Sequence, residues 1–474
     1  MKKLINIFTK VFTLFFILLF IGLILYFLKY KFSFNNLDLD KIFKLLFLFS
    51  NLFFWIWVIY SKKRYKKILV SSYLSIFFSF YAAEFILEKK SKFERFEFFL
   101  SKNEKYDTRS KFEIYKELKK KEDIFPLYYP YNQLIKKRKI ITKIKDVNKD
   151  VVILSGVSNS KTIVCNESGK YLIYKSDKYG FNNPNKVWSS PANTILLGDS
   201  MTLGECVDPK EDISSVLRKN LNINVINLGM GGNGPLFQLA TLKEYHHLTE
   251  SKKIIWVYYE GNDLLDLFNE KENEILMKYL IADFKQNLSD IQSKLDSQIK
   301  KIINDEYENF KNKKLKSFLL LWKVRDSLEN FYSKDNGTLI QNNEKIIINK
   351  KLPSIYQKLI KSNSKNPYEE NIQLFEEILE QVKIYSNKNN AEHYFVYLPS
   401  VARFNGEFED NEKLFARNEV LKIAKNNQFN IIDTYDNFFK FEQNPLQYFP
   451  FNGKMRHFNS EGYRIISSII EENL

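Results

Sequence analysis

Hydrophobic positions are spread unevenly along this chain. Before residue 90 they form three long runs. After about residue 190 they come as strand-length blocks separated by amphipathic stretches. The first run, about 4–28, is broken only by Lys10, which lies near enough to its end to snorkel to the interface. About 20 apolar residues cross the hydrocarbon core as a helix, so a span is predicted here. The run ends in Tyr-Phe-Leu-Lys-Tyr-Lys rather than in small residues at a cleavage site, which favours an uncleaved span over a signal peptide. A second span is predicted at about 42–60, with Trp55, Trp57 and Tyr60 at its end as an interfacial belt. A third is predicted at about 68–87, with an amphipathic surface helix as the other reading, and its Glu84 is costly in a span unless it faces another helix or the interface.

Basic loops set the orientation. Lys2, Lys3 and the SKKRYKK loop at 61–67 are strongly positive, while the connection holding Asp38 and Asp40 is nearly neutral. The N-terminus is therefore expected in the cytoplasm, and three spans put everything after about residue 90 on the periplasmic or extracellular side of an inner (plasma) membrane. The predicted organisation is a membrane anchor at 1–90, a linker and small β-rich lead-in at 91–190, and a catalytic-type domain at 191–474. Within the lead-in, 89–146 reads as helix and linker, and DVVILSG, KTIVCN and KYLIYKS read as short strands.

From Thr194 the pattern changes to alternating strands and helices. TILLG (194–198), NVINL (224–228), KIIWVYY (253–259), HYFVYLP (393–399) and FNIID (429–433) read as buried strands. Helical stretches at 209–220, 235–247 and 368–387 separate them. Such alternation predicts an α/β domain with a mostly parallel sheet covered on both faces. Between about 266 and 367 lies a long insertion with helical periodicity in ILMKYLIADFKQNLSDIQSKLDSQIKKI and LKSFLLLWKVRDSLENFY. Its SFLLLW run is too short to span a bilayer and reads as a buried helix, with a lid on the membrane surface as the other reading.

Composition changes this picture little. The chain has 474 residues, about three domains by length. Its net charge of +16 comes from lysines spread over every segment, not from a nucleic-acid module, so no nucleic-acid partner is expected. Two cysteines exclude a disulfide-dense scaffold. Cys165 and Cys206 both fall in the outer portion, where an oxidising compartment permits a bond; two buried free thiols is the other reading. His246 and His247 read as the end of a surface helix and His393 as a strand start. No second ligand lies at metal spacing from them, so neither metal nor cofactor is expected.

Chemistry-bearing residues collect at the strand ends, where parallel sheets place their active groups. The first strand runs into Gly198-Asp199-Ser200, the second into Gly229-Met230-Gly231-Gly232-Asn233-Gly234-Pro235, and the third into Glu260-Gly261-Asn262-Asp263. His457 precedes the last helix. A serine hydroxyl needs a base to become a nucleophile, and an imidazole supplies one. An exposed glycine amide and an asparagine side chain supply donors for a tetrahedral oxyanion. In order, Gly198-Asp199-Ser200, Gly232, Asn262 and His457 resemble the four blocks of the SGNH (GDSL) hydrolases over about 194–474. The resemblance implies a flavodoxin-like three-layer α/β/α sandwich, here preceded by the transmembrane helices that the apolar runs predict, and ester hydrolysis or acyl transfer. It implies Ser200 as nucleophile, His457 as base, and the oxyanion hole from the Ser200 and Gly232 amides with Asn262. Asp199 then reads as a turn residue.

One departure stands out. The family usually has Asp three residues before the histidine, and here that position is Lys454. Either another carboxylate serves, with Asp433 and Asp436 as candidates, or Ser200 and His457 act as a dyad, or the site is degenerate. Three functions follow. The first is a membrane-anchored serine esterase acting on O-acyl groups of a glycan or lipid-linked substrate. The second is an O-acyltransferase for an envelope polysaccharide, working with a membrane acyltransferase partner. The third is a non-catalytic glycan-binding membrane protein. Membrane lipid is a partner in all three.

Overall fold

The computed structural model describes residues 2–30, 39–101, 106–132, 142–143, 150–319, 321–324, 338–341, 344–347, 367–406 and 415–474. The expected helical stretch at 315–332 is described only to residue 324, and most of the insertion beyond it lies outside the described residues. The chain divides into two compact units, one of residues 1–91 with 316–328 and one of 92–315 with 329–474.

The first unit is built on α1 (Lys2–Tyr30), α2 (Leu39–Tyr60) and the part of α3 (Lys63–Ser101) up to residue 91. Two stretches, Thr9–Lys29 and Lys63–Lys90, are long and apolar enough to cross a membrane, and Leu45–Tyr60 is a shorter apolar helix. The three helices share a small aromatic core. Trp55 is fully buried, stacks on Phe16 at 4.8 Å and meets Tyr73 edge-on at 4.7 Å. Trp55 is thus a packing residue and not part of an interfacial belt; Trp57 and Tyr60 are exposed. Glu84 is buried, and its carboxylate accepts the backbone amides of Lys323 and Val324 at 2.9 and 2.8 Å, which offsets the cost of burying it. The described residues of the SFLLLW run are not a buried helix: Phe318 packs on Tyr81, while Leu319 and Trp322 are exposed.

The second unit opens with α4 (Lys111–Leu118), closed by a full capping box between Ser110 and Glu113. A three-stranded sheet follows, of β1 (Ile124–Pro126), β2 (Lys161–Ile163) and β3 (Ile173–Lys175) in the order β1-β2-β3. β1 falls in a stretch read from sequence as helix and linker; three residues are too few to show an alternating pattern, and pairing with β2 makes the strand. Among the described residues, DVVILSG pairs only at Asp150–Val151.

The main sheet is formed by β4 (Thr194–Leu197), β5 (Val225–Asn227), β6 (Lys253–Tyr259), β7 (Glu392–Leu398) and β8 (Asn430–Asp433). Among the described residues it is wholly parallel, in the order β8-β7-β6-β4-β5. Counting these strands alone, that is 2-1-3-4-5, one of the two common doubly wound orders. Period-2 alternation divides the side chains between two cores. Ile254, Trp256, Tyr258, Phe395 and Tyr397 face one, and Ile255, Val257, Tyr259, Val396 and Leu398 face the other. The first core is completed by α5 (Pro235–Tyr245), α6 (Asp263–Glu270), α7 (Ile372–Lys388) and α8 (Arg417–Asn426). The second core takes Ile213 and Leu217 from the helix Ile213–Leu221 and Ile466 and Ile470 from α9 (Ser460–Glu472).

α5 is buried along its whole length, so His246 at its end is a core residue and not a surface one. Its Nε2 lies 2.9 Å from the Ser251 carbonyl, and burial pushes its pKa down. His393 is likewise buried against the Asn427 carbonyl at 3.1 Å.

Candidate active site

The carboxyl end of β4 turns sharply through Gly198 and Asp199 into the single helical turn Ser200–Leu203. Asp199 caps that turn: its Oδ1 accepts the Met201 amide at 2.8 Å from a fully buried position. Ser200 is the first residue of the turn, so its amide has no acceptor within the helix. Its Oγ lies 3.0 Å from His457 Nε2 and 3.4 Å from Asp199 Oδ2. His457 stands in the segment just before α9. Two residues 257 positions apart are thus brought within one hydrogen bond.

The far side of the imidazole is engaged as well. His457 Nδ1 lies 3.1 Å from Glu167 Oε1, and Cys206 Sγ is 3.5 Å from the same nitrogen. Glu167 comes from the turn between β2 and β3, in the lead-in. Asp433 and Asp436, the carboxylates considered from sequence, do not reach His457. Both pair with Arg417, Asp433 through its Oδ2 and Asp436 at 2.7 Å. Their place after β8 serves to anchor the buried Arg417 guanidinium of α8. The carboxylate that engages the imidazole comes instead from a segment expected only to pack on the domain.

The other sequence-predicted residues sit at the carboxyl ends of neighbouring strands. Asn262 stands at the start of α6, after β6; its Nδ2 donates to Asp266 Oδ2 at 2.6 Å, and its amide lies beside the Asp199 carboxylate. Gly232 sits in the loop after β5, the strand paired with β4, at φ +75°, a conformation that favours glycine. A Cβ on Gly231 would meet the Tyr129 ring at 2.6 Å and Glu205 Oε2 at 2.9 Å, so this loop approaches both too closely for any larger residue. Tyr129 donates to Glu205 Oε1, and Tyr131 accepts from Asn269 of α6 at 2.7 Å. Cys165 and Cys206 are joined by a disulfide.

Charge is concentrated here. Burial works against a positive His457, but the carboxylates of Glu167, Glu205 and Asp199 outweigh it and push the imidazole pKa up to about 9. Burial also raises Asp199 to about 6, tempered by the Met201 amide, the His457 charge and Asn262. The strands are held in register at this end by a buried pair. Arg403 and Glu260 meet at 2.6 Å, and Glu260 also accepts the Ser400 amide at 2.6 Å, linking the loop that carries Asn262 to the end of β7.

This arrangement can do acyl chemistry. Nδ1–H donating to Glu167 fixes the tautomer that leaves Nε2 open to the Ser200 hydroxyl proton. Glu167 escaped the sequence reading because it lies 290 residues before His457 in an unremarkable Asn-Glu-Ser-Gly turn. The signal that reaches it is indirect: it follows Cys165 by two positions, and Cys206 follows Ser200 by six.

No family model and no curated protein matches the chain. Solved structures similar to it include a lipase/acylhydrolase from Enterococcus faecalis, 11% identical, covering 59% of this chain and 93% of that one at a TM-score of 0.30. The psychrotrophic esterase EstA from Pseudoalteromonas sp. is 10% identical over 59% of this chain and 96% of its own, at a TM-score of 0.29. A two-domain esterase active on acetylated mannans is 13% identical over 61% of this chain and 50% of its own, at 0.28. The functional reading rests on the side-chain geometry and not on these likenesses.

Proposed function

We propose that the chain is a membrane-anchored serine esterase of the SGNH type. The observation that carries this is the relay Ser200 Oγ–His457 Nε2 at 3.0 Å and His457 Nδ1–Glu167 Oε1 at 3.1 Å, at the carboxyl end of a parallel sheet in the flavodoxin-like order. In the reaction, Ser200 Oγ attacks the ester carbonyl carbon while its proton passes to His457 Nε2. The carbonyl oxygen becomes an oxyanion held by the Ser200 and Gly232 amides and Asn262 Nδ2. Collapse breaks the bond to the alcohol oxygen, which takes the proton from Nε2 and leaves. Water then attacks the acyl-Ser200 ester, again losing its proton to Nε2, and the acid product departs with Ser200 restored. Glu167 stabilises the imidazolium formed in each half.

The first unit acts as the anchor, with α1, α2 and α3 as spans. Its support is the large apolar surface these helices expose, including Leu25, Phe53, Phe78 and Ile86, a surface costly in water. An odd number of spans with the positive 61–67 loop inside puts the catalytic unit on the outer side, where a Cys165–Cys206 bond is chemically at home. The tether confines the enzyme to substrates near the bilayer, such as O-acylated glycans or lipid-linked glycans. Hydrolysis of p-nitrophenyl acetate by the detergent-solubilised chain, lost in Ser200→Ala, tests the reading. Turnover only after a sugar acceptor is added would instead make it an acyltransferase.

A further inference from the structure

The disulfide lies within the acid's own support. Val164 N donates to the Leu172 carbonyl at 2.9 Å and Leu172 N to the Cys165 carbonyl at 3.1 Å, so the turn carrying Glu167 begins at the cross-linked residue. The turn's other ties run back into the lead-in: Asn166 Nδ2 donates to the Asp107 carbonyl at 2.6 Å, and Asp107 N to the Gly169 carbonyl at 2.7 Å. Cys206 follows the helical turn that starts at Ser200, and its Sγ is 3.5 Å from the nitrogen that Glu167 engages. The bond therefore joins the acid's turn directly to the segment bearing the nucleophile. It does so against an electrostatic load, because Glu167 shares the imidazole with Glu205 and Asp199. Three carboxylates around one ring repel each other, and Glu205 and Asp199 are fixed by the fold through Tyr129 and the Met201 amide.

We propose that Cys165 and Cys206 are positioning residues whose disulfide holds Glu167 against His457, so that reductive opening withdraws the acid and turns the site down. The inference rests on the acyl-transfer reading above. In the opening step an external dithiol is oxidised to its cyclic disulfide, and the Cys165–Cys206 bond takes up two electrons and two protons to give two thiols. Once the turn is released, His457 keeps Glu205 and Asp199 as neighbours, with Lys454 and Arg456 on its own segment. It loses the partner that fixes its tautomer.

The test uses the full chain in detergent, oxidised, or reduced with dithiothreitol and desalted under argon, with two free thiols confirmed by titration. One readout is the pH dependence of kcat and KM for p-nitrophenyl acetate. The other needs no turnover: the pH midpoint of diethyl pyrocarbonate modification of His457, followed by mass spectrometry. Reduction is expected to lower kcat at least about tenfold with KM within about twofold, to move both midpoints downward, and to be reversed by reoxidation. Glu167→Gln should show the lowered midpoint already and respond no further. A Cys165→Ser/Cys206→Ser double variant should match the reduced chain. Unchanged kcat and an unchanged His457 midpoint after full reduction overturn the proposal. Loss of far-UV circular dichroism on reduction overturns it too, because the bond would then hold the fold and not the acid. A chain with no ester turnover whose His457 midpoint still falls on reduction upholds the positioning role while the esterase reading fails.

Discussion

Replacing Glu167 by Gln removes one negative charge and one hydrogen-bond acceptor from His457 and leaves the volume of the side chain nearly unchanged. Both groups are largely buried, with side chains 19% and 17% exposed, so solvent screens the interaction weakly. The rise of the imidazole from 6.5 to about 9 amounts to about 3 kcal/mol of preference for the cation, with Glu167 the largest of the three carboxylates that produce it. In the native chain the base is therefore mostly protonated at neutral pH, on the order of one molecule in a hundred being ready to accept the Ser200 proton. The rate kcat/KM should climb with pH through neutrality and level off near 9, where His457 gives up its proton. In Glu167→Gln the charge is gone, the cation is less favoured, and the plateau should arrive at lower pH. Its height should fall by about two to four orders of magnitude, because a neutral amide no longer stabilises the imidazolium and, with its NH2 facing Nδ1, favours the tautomer with hydrogen on Nε2, which cannot take the Ser200 proton. A pH-rate series on p-nitrophenyl acetate from pH 5 to 10 measures both effects. A variant within about threefold of the native chain, with the same pH profile, would refute the assignment of Glu167 and return the site to a dyad.

Other consequences follow from the same geometry. Asn262→Ala should lower kcat by about two to three orders of magnitude, with KM nearly constant, since the proposed oxyanion would lose a donor. Asp433→Ala should leave kcat/KM within about twofold but lower the melting temperature, because it strips one of two carboxylate partners from the buried Arg417, Asp436 remaining, at a cost of about 2 kcal/mol; a large loss of rate without loss of stability would place Asp433 in the catalytic machinery. Arg403→Met should destabilise by a similar amount through the unpaired Glu260, and a melting temperature equal to the native one would show that the pair is dispensable.

The main sheet was legible because burial on both faces demands short apolar runs, and each of the five runs read from sequence lies in it. Ser200, the proposed nucleophile, was legible because a turn at a strand end needs small residues around a serine, and Gly198-Asp199-Ser200 shows that locally; His457, the proposed base, was legible through the resemblance of the four blocks. Glu167 was not, since nothing local marks a carboxylate whose role depends on a partner 290 positions away. The same limit hid β1, a three-residue strand made by its pairing with β2, and it misplaced His246 and Trp55. Amphipathic periodicity shows that a helix has a covered face; it does not show when both faces are covered, as along α5.

The most direct measurement is covalent capture of the nucleophile. A fluorophosphonate probe is added to the native chain and to Ser200→Ala and His457→Ala, and the modified peptide is identified by mass spectrometry. The account predicts a single adduct on Ser200, none in Ser200→Ala, and labelling slowed by at least about a hundredfold in His457→Ala. Labelling that persists in Ser200→Ala, or proceeds at the native rate without His457, would contradict it.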